Sequence, residues 1–271
     1  MEAVAPSSLA FYRLCLYAIG SNRRGCQAGE ASPWRLGRMM LDSIRAVAFD
    51  CYGTVVRFTT PDFIRTMAEI ARAQGLEADP EVLWDRFVKA AFVFRGENVA
   101  IPAYRRYEEA WAFQFERAAQ DLGFEGDGGL AAVRLKEKLS QAEAYAEVAE
   151  VLEALRARYR LAILSNADDD FLHACLARNG LEFEVVVSSE VVQALKPDPV
   201  IFAYLAGVLG LEHHQILYVG DNPMPDIVGA RRAGVPVAWL NRSGYPLPED
   251  MPEPDLQVGS LRDLLAALPR R

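Results

Sequence analysis

Short apolar runs that each stop at a polar residue, spaced by helix-length stretches, restrict most strongly what this chain can fold into. Ala46-Val47-Ala48-Phe49 stops at Asp50, Leu161 to Leu164 stops at Ser165, and Ile216 to Val219 runs into Gly220-Asp221. Val185 to Val187 and Val235 to Leu240 extend the series. Runs that are apolar at successive positions, not only alternate ones, suit strands buried on both faces, as in a parallel sheet. Asp169 to Arg178, Pro199 to Leu209 and Met224 to Ala233 are long enough for the helices that carry the chain back between parallel strands. The expected fold class is α/β, a doubly wound parallel sheet, closed by a short strand and a helix within Leu256 to Leu268.

One stretch breaks the alternation. From Thr60 to Leu139 the chain carries amphipathic helical patterns and no strand pattern, with Asp79-Pro80 as an N-cap followed by Pro at the first helical position. Gly75, Gly96 and the stretch from Gly123 to Gly129 mark turns. The expected organisation is a core from residues 41–59 and 140–271, a helical domain of residues 60–139 inserted into it, and an extension over residues 1–40. Arg13 interrupts the apolar run from Leu9 to Gly20, and no small-residue cleavage site follows, which argues against a secretory signal. That extension reads as disordered, or as translated upstream of a true start at Met39 or Met40.

Composition narrows the function classes. With 51% apolar and 24% charged residues over 271, the chain can bury enough surface to offset the entropy of ordering. A net charge of -8 is wrong for a phosphate-backbone footprint, so nucleic acid is excluded as a partner. Cys15, Cys26, Cys51 and Cys175 have no ligand-like spacing and read as reduced thiols of a cytoplasmic protein. No run approaches the roughly 18 apolar residues of a membrane span. A monomer or homodimer acting on a small anionic metabolite is the expectation.

Candidate chemistry gathers at the carboxyl ends of the strands, where an open α/β sheet forms its ligand crevice. Asp50-Cys51-Tyr52-Gly53-Thr54 places a carboxylate over a tight turn, suited to nucleophilic attack or simply to ending a strand. Ser165-Asn166 offers a hydroxyl to an anionic oxygen, though it is also an ordinary turn pair. Lys196 is one of only four Lys among 29 basic residues and precedes a helix start at Asp198-Pro199, as a balancing charge or a solvated loop residue. Asp221 and Asp226 straddle a strand-to-helix turn and, with Asp50, form the oxygen-rich set that Mg²⁺ prefers.

In this order the four motifs resemble the haloacid dehalogenase superfamily of aspartate-nucleophile hydrolases, over about residues 44 to 268. The resemblance implies a Rossmannoid core with a helical cap between the first and second motifs. It casts Asp50 as nucleophile, with Thr54 bonded near it. Ser165 and nearby backbone N–H groups hold the transferring group, and Lys196 neutralises charge. Asp50, Asp221, Asp226 and the backbone carbonyl of Tyr52 bind Mg²⁺. Asn166 and Arg95 are the candidates for holding substrate, Arg95 within an aromatic and Arg-rich stretch of the cap that includes Phe92, Phe94, Tyr104, Arg105, Arg106, Tyr107 and Trp111. Helical spacing buries most such aromatics in any case.

Two motifs disagree on the reaction. Phosphatases of this superfamily carry a second Asp two residues after the nucleophile, where this chain has Tyr52, as the 2-haloacid dehalogenases do. Those dehalogenases are metal-free and have no Asp at the position of Asp221; Pro223 stands in place of their Asn, and Phe202 in place of their Tyr. Three converging carboxylates without a cation repel one another or hold a proton. That favours a Mg²⁺-dependent phosphomonoester hydrolase, with 2-haloacid dehalogenase chemistry as the alternative and a non-catalytic binding protein as a further one. His173, His213 and His214 offer too little for a His-based site, and Cys51 is expected to point away from Asp50.

Overall fold

The computed structural model describes residues 38–95 and 103–269, so the expectations for most of the N-terminal extension fall outside the described residues. After a short helix α1 (Arg38–Ser43), the chain enters β1 (Ala46–Phe49), whose four residues are all buried. The other core strands are β4 (Arg160–Ser165), β5 (Val185–Ser188), β6 (Ile216–Gly220), β7 (Val237–Leu240) and β8 (Leu256–Val258). All pair in parallel, in the order β5-β4-β1-β6-β7-β8.

Alternation along these strands divides the interior in two. Val47, Phe49, Leu161, Ile163, Leu217 and Val219 face one apolar cluster, joined by Leu152 of α6 (Val148–Arg156) and Leu172 of α7 (Asp169–Arg178). Ala48, Leu164, Ile216 and Tyr218 face the other, with Phe202 and Leu205 of α9 (Pro199–Leu209), which follows the one-turn α8 (Ser189–Val192). Both faces are covered by helices, as buried parallel strands require. Complete burial of a side chain such as Phe49 stabilises the fold by about 1.5–3 kcal/mol.

The helical insert comprises α2 (Thr60–Ala73), α3 (Pro80–Arg95), α4 (Tyr107–Asp121) and α5 (Gly128–Ser140). Three of the four are capped from within. Thr59 and Asp62 form a capping box on α2, Asp79 Oδ1 accepts from Glu81 N (2.9 Å) and Val82 N (3.1 Å) on α3, and Asp127 accepts from Leu130 N on α5. The fourth, α4, has no side-chain cap of its own. Its first N–H groups are taken up by Asp168 of the core: Asp168 Oδ1 lies 2.9 Å from Tyr107 N and Oδ2 3.1 Å from Glu108 N.

Two local features depart from the sequence reading. The stretch expected as one helix from Met224 to Ala233 is a π-helical segment, Pro223–Val228, running into α10 (Gly229–Ala233). Pro223 and Pro225 stand in its first turn, where a missing N–H forfeits no intrahelical bond. A two-residue antiparallel pair, β2 (Val56–Arg57) with β3 (Glu143–Ala144), joins the points where the insert leaves and re-enters the core, too short to leave a periodic trace. The closing helix α11 is Leu261–Ala267.

Candidate active site

The strand order reverses at β1, and Phe49 sits level with Ile163 of β4 and Val219 of β6. That register brings Asp50, Ser165 and Asp221 to the same edge of the sheet. The loop before α9 supplies Lys196, and the π-helical turn supplies Asp226. Asp50, Thr54, Ser165, Lys196 and Asp226 are all buried.

Lys196 Nζ is the centre of the arrangement. It lies 2.7 Å from Asp50 Oδ1, 2.7 Å from Asp226 Oδ1 and 2.7 Å from the Tyr218 hydroxyl. Ser165 Oγ donates to the same Asp50 Oδ1 at 3.1 Å. Asp50 Oδ2 receives no hydrogen bond among the described residues, so one carboxylate oxygen is anchored and the other is free of protein donors. Thr54 Oγ1 donates to Asp221 Oδ1 at 3.1 Å, and Asn222 N donates to Asp226 Oδ2 at 3.0 Å. The turn after Asp50 depends on Gly53, at φ +92°, where a Cβ would come within 2.4 Å of Asp221 Oδ2. Any side chain at that position would displace the carboxylate.

The charges perturb one another strongly. Burial raises the Asp50 pKa above its ordinary value; Lys196 opposes the shift and Asp226 reinforces it. Asp221 is pushed up to about 8 by burial and by the carboxylates of Asp50 and Asp226. Burial alone would lower the Lys196 pKa, yet Asp226 and Asp50 outweigh it and hold the ammonium charged. One ligand atom from each of Asp50, Asp221 and Asp226 falls within 4.8 Å of the others. Buried carboxylates in such excess over cations, with oxygen donors only, fit a hard divalent cation.

Other sequence expectations land elsewhere. The Tyr52 hydroxyl donates to the Phe171 carbonyl at 3.2 Å, and its ring packs against Phe58 and Phe171, leaving no acid two residues beyond Asp50. Asn166, expected at the substrate, accepts from Lys196 N (2.8 Å) and donates to Lys196 O (3.0 Å), so its amide fixes the lysine backbone. The side chain of Arg95 lies outside the described residues. Tyr107 and Trp111 pack on Phe171, and Phe94 pairs with Phe113, as interior aromatics do. Cys51 is turned into the interior beside Cys175. His213 is half-buried, with Nδ1 2.5 Å from the Ala233 carbonyl.

Two residues of consequence escaped the sequence reading. Tyr218 had a signal, since a hydroxyl inside a fully buried strand needs a partner. Asp168 looks like the N-cap of its own helix α7, and nothing local reveals that its carboxylate is turned to α4 instead.

Residues 44–234 match the family of haloacid dehalogenase-like hydrolases. Haloacetate dehalogenase H-2 of Moraxella sp. strain B is 31% identical over 224 residues, covering 80% of this chain and 95% of the relative. A solved dehalogenase, with an intermediate complex, superposes with a TM-score of 0.68 at 26% identity, covering 84% of this chain and 99% of its own. The phosphoserine phosphatase of Thermus thermophilus is 40% identical, but over 119 residues, 42% of this chain and 47% of the relative. The expectation that phosphatase outweighs dehalogenase is therefore corrected: haloacid dehalogenases align across core and insert together, whereas this phosphatase aligns over less than half of the chain. Asp221 carried the phosphatase expectation through its charge. A charge cluster constrains what neutralises it, not which electrophile Asp50 attacks.

Proposed function

The chain belongs to the haloacid dehalogenase-like hydrolases, and from that premise we propose that it hydrolyses the carbon–halogen bond of short 2-haloacids through Asp50. The observation that carries this reading is Tyr52. With its hydroxyl bonded to the Phe171 carbonyl, it offers no proton to a leaving oxygen, and a halide leaves without one.

Asp50 Oδ2 attacks C2 opposite the halogen; the new C–O bond forms as the C–X bond breaks and halide departs with its electron pair. The product is an ester in which Asp50 Oδ1 is the carbonyl oxygen. Water then adds to the Asp50 carboxyl carbon, and negative charge gathers on Oδ1, the atom that Lys196 and Ser165 already hold. Collapse releases a 2-hydroxyacid, with one water proton on the new hydroxyl and the other released as Asp50 ionises. Arg95, the last residue of α3, is the proposed contact for the substrate carboxylate.

Asp50, Asp221 and Asp226 would hold a divalent cation, Mg²⁺ by their all-oxygen donor set, and it would supply charge neutralisation among them. Calorimetric Mg²⁺ binding, lost in Asp221→Asn, checks this separately. The test of the function is halide release, followed by ion chromatography, from chloroacetate and from each enantiomer of 2-chloropropionate. Wild type should release halide and Asp50→Asn none; a wild type inert toward all three would overturn the reading.

A further inference from the structure

An ammonium has three N–H bonds to give, and Lys196 gives all three within the protein, to Asp50, Asp226 and Tyr218. None is left for a substrate. Lys196 therefore serves the nucleophile, and how it is held decides where its positive charge points. Two of its partners are carboxylates whose attraction falls off slowly with angle. The third is a neutral hydroxyl held in place by its own strand.

That hydroxyl is well placed to fix the ammonium. Tyr218 is the third residue of β6, level with Ala48 of β1 and Val237 of β7, and fully buried. Its oxygen lies 3.0 Å from the Leu164 carbonyl and 3.0 Å from Asp226 Oδ1. The single hydroxyl proton goes to one of these acceptors, and the oxygen lone pair accepts from Lys196. Phe202 closes the ring edge-on, with centroids 5.1 Å apart at 82°.

We propose that Tyr218 is a positioning residue, its hydroxyl completing the donor set of Lys196 so that the ammonium stays fixed on Asp50 Oδ1. In catalytic terms this rests on the hydrolase reading above; as a statement about Lys196 it does not. The test uses both levels. The whole chain, labelled with [¹⁵N]lysine, has only four lysines, Lys89, Lys136, Lys138 and Lys196, and Lys196→Arg identifies the signal in question. A slowly exchanging Lys196 ammonium resonance is expected in wild type, broadened or lost in Tyr218→Phe.

In steady-state halide release, Tyr218→Phe should lower kcat about ten- to hundredfold, the range for one lost hydrogen bond to a charged group, with KM within about twofold. Phe202→Leu loosens the same packing but keeps the hydroxyl, and should lower thermal stability while retaining kcat and the lysine resonance. An unchanged resonance in Tyr218→Phe overturns the proposal, as does an unchanged kcat in an enzyme that releases halide. An equal kcat loss in Phe202→Leu assigns the effect to packing and overturns it too. A wild type that releases no halide removes the hydrolase reading, while the resonance still decides the placement of Lys196.

Discussion

Lys196 and Lys136 are each bracketed by two carboxylates at short range, and they do different work. Lys196 joins Asp50 and Asp226 with a side chain 2% exposed, against partners 11% and 1% exposed. Lys136 of α5 joins Glu108 of α4 at 2.9 Å and Asp170 of α7 at 2.5 Å, with a side chain 21% exposed against partners 42% and 47% exposed. In contact geometry the two are alike. Water solvates the charges at the seam between insert and core, so the Lys136 pairs contribute little. At the strand ends the charges have given up their hydration, and each depends on the others remaining in place.

The sharpest way to break this comparison is to remove each ammonium in turn. Lys196→Met leaves Asp50 and Asp226 buried without their cation, and should cost about 3–5 kcal/mol in urea unfolding as well as activity. A loss below about 1 kcal/mol would place Lys196 in the same class as Lys136. Next comes Asp221, whose pKa stands at about 8 against 3.8 for the ordinary carboxyl. A carboxyl raised in this way contributes stability that is fully present below pH 3.8 and lost as pH rises through about 8. With chelator present, the melting temperature of Asp221→Asn should therefore gain on wild type between pH 5 and pH 9; a constant difference would contradict the assigned shift.

Asp168 belongs to the seam by position but is as buried as Lys196. Asp168→Ala strips two N–H groups of α4 of their acceptor and should cost about 1–2 kcal/mol in urea unfolding. Lys136→Met should cost about 0–1 kcal/mol by the same measurement, shrinking further as salt is added. If the Lys136 variant proves as damaging as the Asp168 variant, exposure is the wrong discriminator.

The same division separates what the sequence discloses from what it withholds. The parallel sheet was readable because buried strands are apolar at successive positions, and Asp50, Ser165, Lys196 and Asp221 because strand ends are where such a sheet places ligands. The roles of Asn166 and Tyr218 were not, since both are set by contacts between residues that lie far apart in the chain: Asn166 with Lys196, and Tyr218 with Lys196 and Leu164. Asp168 misleads for a related reason. A carboxylate at the start of a helix can cap that helix or a neighbouring one, and only packing selects. The balance between phosphatase and dehalogenase was misjudged because Asp221 is a local signal, whereas the likeness to dehalogenases is spread over both core and insert.

Asp168 stands three residues beyond Ser165, in the loop that also carries Asn166. Helix α4 is thus tied through Asp168 to a loop whose next links are Asn166 to the Lys196 backbone and Ser165 to Asp50. Ala167 between them is held in both directions by Ser189, its N–H donating to the Ser189 hydroxyl and its carbonyl accepting from it. The loop therefore has little slack. Helix α4 and the Asp50–Lys196 pair are mechanically in series, so a displacement of α4 reaches Lys196 and Asp50 through a handful of hydrogen bonds. The first turn of α4 and the carboxylate of Asp50 are, in this molecule, two ends of one lever.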